Sequence, residues 1–227
     1  MDKKSGVISE ILNEPNQIDH LMEKMEPFRR LMMQYQCAIL EVKTKLEVLN
    51  EELTLQNNIN PFESIKTRLK KPESILKKMK KQRLSVTVDN IEKNLHDIAG
   101  IRVICSFPDD IYTLVDCISK QDDIIVCEKK DYIANPKPNG YRSLHLILEV
   151  PIFLTAEKKY MKVEVQFRTI AMDFWASLEH KVKYKKDIKN SDEISKELKQ
   201  CADIISLIDQ RMQQIKYEIT ENNDVKS

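Results

Sequence analysis

Only three glycines, Gly6, Gly100 and Gly140, occur in 227 residues; average usage of roughly 7% would supply about five times as many. A Walker A loop, a dinucleotide fingerprint or a kinase glycine loop needs clustered glycines, because backbone must come close to phosphate. None can be assembled from three separated ones. If this chain handles phosphates, side chains must do it. Its length suits one compact domain with helical extensions. Lys and Arg number 37 against 36 Asp and Glu, so there is no bulk charge argument for nucleic acid or membrane, and any basic patch is local.

Cysteine and histidine usage narrows the class further. Cys37, Cys105, Cys117, Cys127 and Cys201 lie far apart with no CxxC pair, and His20, His96, His145 and His180 lack metal-ligand spacing. An odd number of scattered cysteines reads as free thiols in a reducing cytoplasm. MDKKSGVISE has no apolar leader core, and no run approaches the ~18 apolar residues of a membrane span. The expectation is a soluble cytoplasmic protein with no membrane partner.

The chain divides into an N-terminal helical region (1–59), an α/β domain (60–186) and a C-terminal helix (187–227). After Pro27, apolar residues alternate by four and three: Phe28, Met32, Tyr35, Ile39, Val42, Leu46, Leu49 and Leu53. The rhythm returns at Ile194, Leu198, Cys201, Ile205, Ile208, Met212, Ile215 and Ile219. A 3.5-residue repeat keeps one seam facing a partner helix. The seams favour an oligomer contact, with helices lying across the core of a monomer as the alternative. Between them, strands are expected at Ser64–Leu69, Ile101–Phe107, Ile124–Lys129, Ser143–Val150 and Tyr160–Arg168. Helices are expected at Pro72–Lys81, at Asp109–Lys120 and from Ile170 to about Lys185. The predicted fold is thus mixed α/β, a central sheet of about five strands flanked by helices. In the last strand Met161, Val163, Val165 and Phe167 point one way and Lys162, Glu164, Gln166 and Arg168 the other.

Residues 66–83 hold nine basic side chains against one acidic one. An ordinary lysine-rich stretch is a solvated helix face. Here, however, Arg68 and Lys70 share a strand face, and Ser74 and Lys78 share a helix face. A strand-to-helix corner can bring these four to one polyanion, with helix N-terminal amides beside them. Asp97, before a turn at Gly100, is a candidate metal-binding carboxylate, with helix capping as the plainer role. The His96-Asp97 pair would need further His and Asp ligands to act as a phosphohydrolase dyad, and only His20 lies upstream. In Asn139–His145, Tyr141 can stack on a base while Arg142 and His145 reach phosphate or hydroxyl. Glu164 opposite Asp97 would complete a two-carboxylate Mg²⁺ site; an exposed edge strand of mixed charge is the plainer reading.

Taken in order, R-x-K…S…K, HDIAGIR, GYRSLH and VEVQFRT followed by AMDFWASLEHKVKYK resemble the synthetase domain of the RelA/SpoT homologues. On the expectation that no hydrolase or regulatory domain accompanies it, the chain is similar to a small alarmone synthetase. The resemblance covers roughly residues 60–186 and implies a nucleotidyltransferase-like sheet. It implies transfer of the β,γ-pyrophosphate of ATP to the 3′-hydroxyl of GTP or GDP, with Mg²⁺ as cofactor. By the same resemblance, Arg68 and Arg102 sandwich adenine, and Lys70, Ser74 and Lys78 grip the ATP phosphates. Asp97 and Glu164 hold Mg²⁺, Glu164 also serving as base. Tyr141 stacks on guanine and His145 meets the acceptor phosphates, with Gln166 and Arg168 in the same acceptor motif. Asp173, beside the guanine end, stands where the resemblance leads one to expect Asn. Homotetramers and single-stranded RNA binding occur among such synthetases and are carried as expectations. The alternatives are a non-catalytic oligomeric nucleotide- or RNA-binding protein, and a pyrophosphotransferase with another acceptor.

Overall fold

The computed structural model describes residues 15–57, 60–183 and 191–224. In chain order the elements are α1 (Pro15–Asn57), β1 (Phe62–Leu69), α2 (Pro72–Lys81), α3 (Val88–Asn94), β2 (Ala99–Cys105) and α4 (Pro108–Ser119). There follow β3 (Ile125–Asp131), β4 (Leu144–Phe153), β5 (Lys158–Thr169), α5 (Ile170–Lys183) and α6 (Ser191–Asp224). The expected domain boundaries at 59/60 and 186/187 fall at or inside stretches outside the described residues, as does Lys185.

The five strands form one mixed sheet in the order β1-β2-β5-β4-β3. β2 and β5 are parallel; the β1–β2, β5–β4 and β4–β3 pairs are antiparallel. Alternation in β5 follows the sequence pattern, with Met161, Val163, Val165 and Phe167 almost wholly buried. They join one core with Leu144, Leu146 and Leu148 of β4 and with the seam of α1. β4 runs three residues past its expected end at Val150. β3 pairs with it only as far as Glu149, so Pro151, which has no N–H to donate, faces an edge that needs none. The short helix α3 is absent from the sequence reading. Its signal was Thr87, whose Oγ1 accepts a hydrogen bond from Asn90 N at 3.2 Å, a side-chain N-cap.

The two apolar seams meet different fates. On α1, Tyr35, Ile39, Val42 and Leu46 are buried against the sheet, each contributing about 1.5–3 kcal/mol. This seam is core, which favours the monomer alternative for that helix. On α6, Ile208, Met212, Ile215 and Ile219 stay exposed, and that helix packs sideways on α4 and α5.

α6 also buries Asp209, whose Oδ2 accepts the Thr169 hydroxyl at 2.6 Å. Burial pushes this carboxyl above its usual range, and the Thr169 bond only partly offsets it. A raised folded-state pKa means that ionisation costs stability as pH rises through the ordinary carboxylate range of about 4. Asp209→Asn, which keeps an acceptor for Thr169, should therefore match or exceed the parent in melting temperature at pH 7. Below that range the advantage should vanish; a lower melting temperature at pH 7 would contradict this account.

Candidate active site

The polar face of the sheet follows from register. Paired residues on neighbouring strands share a face, and Lys66↔Arg102, Arg68↔Gly100, Gly100↔Glu164, Arg102↔Gln166 and His145↔Gln166 are paired. Lys66, Arg68, Gly100, Arg102, Glu164 and Gln166 consequently line one cleft of about 390 Å³. At its β1 end the strand-to-helix corner forms as expected. Pro72 occupies the first position of α2 with Glu73 in the first turn, and Ser74 is exposed there.

Lys70 and Lys78 converge on Asp97. Lys70 Nζ donates to Asp97 Oδ2 at 2.6 Å, and Lys78 Nζ lies 2.9 Å from Oδ1. Burial alone would raise the Asp97 carboxyl, but the two lysines outweigh it and hold it below its usual range. Glu164 is half-buried, its Oε2 accepting from Gln166 Nε2 at 3.0 Å and its Oε1 3.5 Å from His145 Nδ1. Here too burial raises the carboxyl while His145 and Gln166 bring it down. The net result lies below the usual range, although the charge of Asp97 acts in the opposite direction. Both carboxylates are ionised at neutral pH, and each feels the cleft's other charges.

At the β4 end an aromatic and cationic cluster forms. The Tyr141 hydroxyl lies 2.9 Å from His145 Nε2 and accepts from Arg168 Nη2 at 2.8 Å. The Arg168 guanidinium also sits 5.2 Å from the Tyr141 ring centroid. Tyr132 meets the Tyr141 and His145 rings edge-on, and Lys137 Nζ lies 4.5 and 4.9 Å from the two tyrosine ring centroids. Tyr132 and Lys137 were missed in the sequence, since nothing in YIANPK marks them until the loop folds back.

Asp173, from the first turn of α5, joins the two ends of the cleft. Its Oδ1 accepts from Arg102 Nη1 at 3.1 Å and from Arg168 Nη1 at 2.9 Å, and Lys66 Nζ lies 3.5 Å from Oδ2. Its carboxylate is thus occupied by three cations, Arg102, Arg168 and Lys66. Burial and the neighbouring Arg168 push the Arg102 guanidinium down, and Asp173 opposes them. His96 is turned to the Lys93 carbonyl at 3.1 Å and lies 3.3 Å from Lys162 Nζ, outside this constellation. Arg142 departs from its expected role: it points away from the cleft, toward α6. His145, by contrast, faces it.

Residues 67–189 match the region found in RelA / SpoT proteins. The chain belongs to the RelA/SpoT family. Over 202 residues it is 43% identical to GTP pyrophosphokinase YwaC of Bacillus subtilis (strain 168), covering 89% of this chain and 96% of that relative. Among solved structures it is similar to small alarmone synthetase 2 of B. subtilis, with a TM-score of 0.76 at 43% identity, covering 85% of this chain and 100% of that one. It is also similar to small alarmone synthetase 1 of B. subtilis bound to its product pppGpp, at TM-score 0.76 and 32% identity, covering 85% and 98%. The RelA/SpoT assignment agrees with the mixed five-stranded sheet. No described helix is long and apolar enough to cross a membrane.

The residues also bear on a metal. Among the described residues no group of three or more His, Cys, Asp or Glu could hold an ion. Asp97 does sit at the lysine corner, and Glu164 is near enough to feel its charge. Mg²⁺ commonly takes one or two carboxylates and completes its shell with water and substrate phosphate, so this donor set fits an ion that arrives with a nucleotide.

Proposed function

We propose that this chain is a cytoplasmic (p)ppGpp synthetase, moving the β,γ-pyrophosphate of ATP onto the 3′-hydroxyl of GTP or GDP and releasing AMP. One observation carries the reading: Glu164 lines a cleft with Arg68 and Arg102, touches His145 of the tyrosine–histidine–arginine cluster and feels the charge of Asp97, which two lysines grip. Arg68 and Arg102 hold the adenine, and Lys70, Ser74 and Lys78 take the ATP phosphates. Tyr141 stacks on guanine, and His145, Gln166 and Arg168 orient the acceptor. Asp173 sits at the guanine end, where its contact with Arg168 bears on the acceptor.

The chemistry is positioning and charge. The 3′-oxygen attacks the β-phosphorus, the bond from that phosphorus to the α/β bridging oxygen breaks, and AMP departs with the electron pair. The hydroxyl proton passes to Glu164. Its low pKa in the empty cleft would make it a weak base, but phosphate charge entering beside it moves the carboxyl upward. Lys70 and Lys78, relieved of Asp97, bind the charge that develops on the moving pyrophosphate. Asp97 and Glu164 would hold Mg²⁺, which when bound neutralises phosphate charge and polarises the transferred group.

The exposed apolar stripe of α6 supports a homo-oligomer, with a tetramer favoured. Light scattering on purified protein reads this directly. Exposed Lys71, Lys77, Lys80 and Lys81 supply the outward surface that single-stranded RNA binding would use. A polyanion-binding protein without catalysis has no use for two carboxylates beside its phosphate site, and this favours the enzyme.

The test is incubation with ATP, Mg²⁺ and, in turn, GTP, GDP, GMP or ATP as acceptor, followed by anion-exchange chromatography. Equimolar AMP and a guanosine tetra- or pentaphosphate should appear with GDP or GTP. No AMP with any acceptor would reject the enzyme, and product only with GMP or ATP would transfer the reading to another acceptor.

A further inference from the structure

We propose that α6 is a positioning element for the acceptor nucleotide, acting on Tyr141 through Arg142 and Gly140. Tyr141 is held on both sides in the chain. Before it, Gly140 adopts φ +86, and a Cβ there would stand 2.5 Å from the Cβ of Ala202. Only glycine lets the loop lie this close to the helix in that conformation. After it, Arg142 Nη1 donates to the Ala202 carbonyl at 3.3 Å, and Nη2 lies 3.7 Å from Asp203 Oδ1. Around these residues remains an interstice of about 10 Å³, at the limit of a single water.

The floor beneath the loop is fixed in turn. Trp175 Nε1 on α5 donates to the Leu198 carbonyl of α6 at 2.8 Å, and Asn139 Nδ2 donates to Glu179 Oε1 of α5 at 3.2 Å. The twelve-residue connection between β3 and β4 closes on itself through Tyr132 N to the Ser143 carbonyl at 3.0 Å, Asn135 N to the Asp131 carbonyl at 3.2 Å, Lys137 N to the Tyr141 carbonyl at 3.1 Å and Gly140 N to the Lys137 carbonyl at 2.8 Å. Those bonds shape the loop internally; its seat against α5 and α6 comes from Asn139, Gly140 and Arg142. Clamped on α6, it presents the Tyr141 hydroxyl to Arg168 and His145 at fixed distances. Arg142 touches neither reacting atoms nor the cleft, so it is a positioning residue. Its loss should disorder the acceptor platform and leave the ATP corner, which α6 does not reach, as it was.

The inference rests on the synthetase reading, and the experiment separates the two. Steady-state kinetics of Arg142→Ala would be measured with ATP and GDP varied independently, beside the parent protein. Failure of the parent to make product would sink the synthetase reading itself. With an active parent, Arg142→Ala should raise the GDP KM about tenfold while the ATP KM and the kcat at saturating GDP stay within about twofold. Trp175 is the chain's one tryptophan and packs on α6, so unchanged emission certifies that the helix is still docked. Arg142→Lys, which can still donate to the Ala202 carbonyl, should fall between, with a GDP KM raised about threefold. It also decides the matter should the alanine variant not fold. An unaltered GDP KM in a docked variant, or equal rises for ATP and GDP, would overturn the proposal.

Discussion

Glu164→Gln should lower turnover by about 10²–10⁴-fold while ATP still binds with an affinity within a few fold of the parent. Glutamine keeps the volume and can still meet Gln166 and His145, whose atoms lie 3.0 and 3.5 Å from the present carboxylate. What it cannot do is accept the 3′-hydroxyl proton. Single-turnover product formation and ATP titration, measured on the same preparation, separate the two effects. Near-normal synthesis by this variant would remove Glu164 from the role of base. The pH profile gives a second reading. Because His145 and Gln166 hold the carboxyl below its usual range despite burial, the acid limb of activity should lie below the ordinary glutamate range in the free enzyme. His145→Ala removes the larger of those two influences and should move that limb to higher pH.

Asp97→Asn is expected to be the most damaging single change to ATP use, costing about 10²-fold or more in kcat/KM, with a matching loss of response to added Mg²⁺. It also has a consequence for the empty protein. Lys70 is only 13% exposed and is bonded to Asp97 at 2.6 Å, so an amide there leaves a largely desolvated ammonium without its counter-charge. We expect a loss of about 1–3 kcal/mol in denaturant unfolding, partly restored by inorganic pyrophosphate, which supplies the missing anion. The sign with pH follows from the depressed carboxyl. In the parent, the stabilisation is complete above the ordinary range of about 4 and is lost as pH falls through the lower folded value. The variant should lack that acid-dependent part. Equal stability of variant and parent at pH 7, with intact Mg²⁺ response, would show that Asp97 neither anchors the lysines nor serves an ion.

Some of this could be read before any coordinates. The scarcity of glycine excluded backbone cradles for phosphate. Strand alternation put Glu164, Gln166 and Arg168 on one face and Arg68 with Lys70 on another strand's face, because a period of two is a local property of extended chain. Pro72 marked the start of α2 for the same kind of reason: its fixed φ and missing N–H act on its own turn. The spaced motifs carried the family.

What tertiary structure decided was every relation between distant segments. A seam repeating every 3.5 residues states that a helix needs an apolar partner without naming it; the sheet took the seam of α1, and that of α6 stayed open. Asp173 could be placed near one end of the site by its neighbours in sequence, but its hold on Arg102, Arg168 and Lys66 depends on how α5 leaves β5 against β1 and β2. Arg142, two residues from a glycine and three from a histidine, looked like an acceptor ligand; a helix some sixty positions later turned it around. Local periodicity is written in neighbouring residues, whereas the direction in which a side chain finally points is settled by whichever distant surface satisfies its charge and hydrogen bonds.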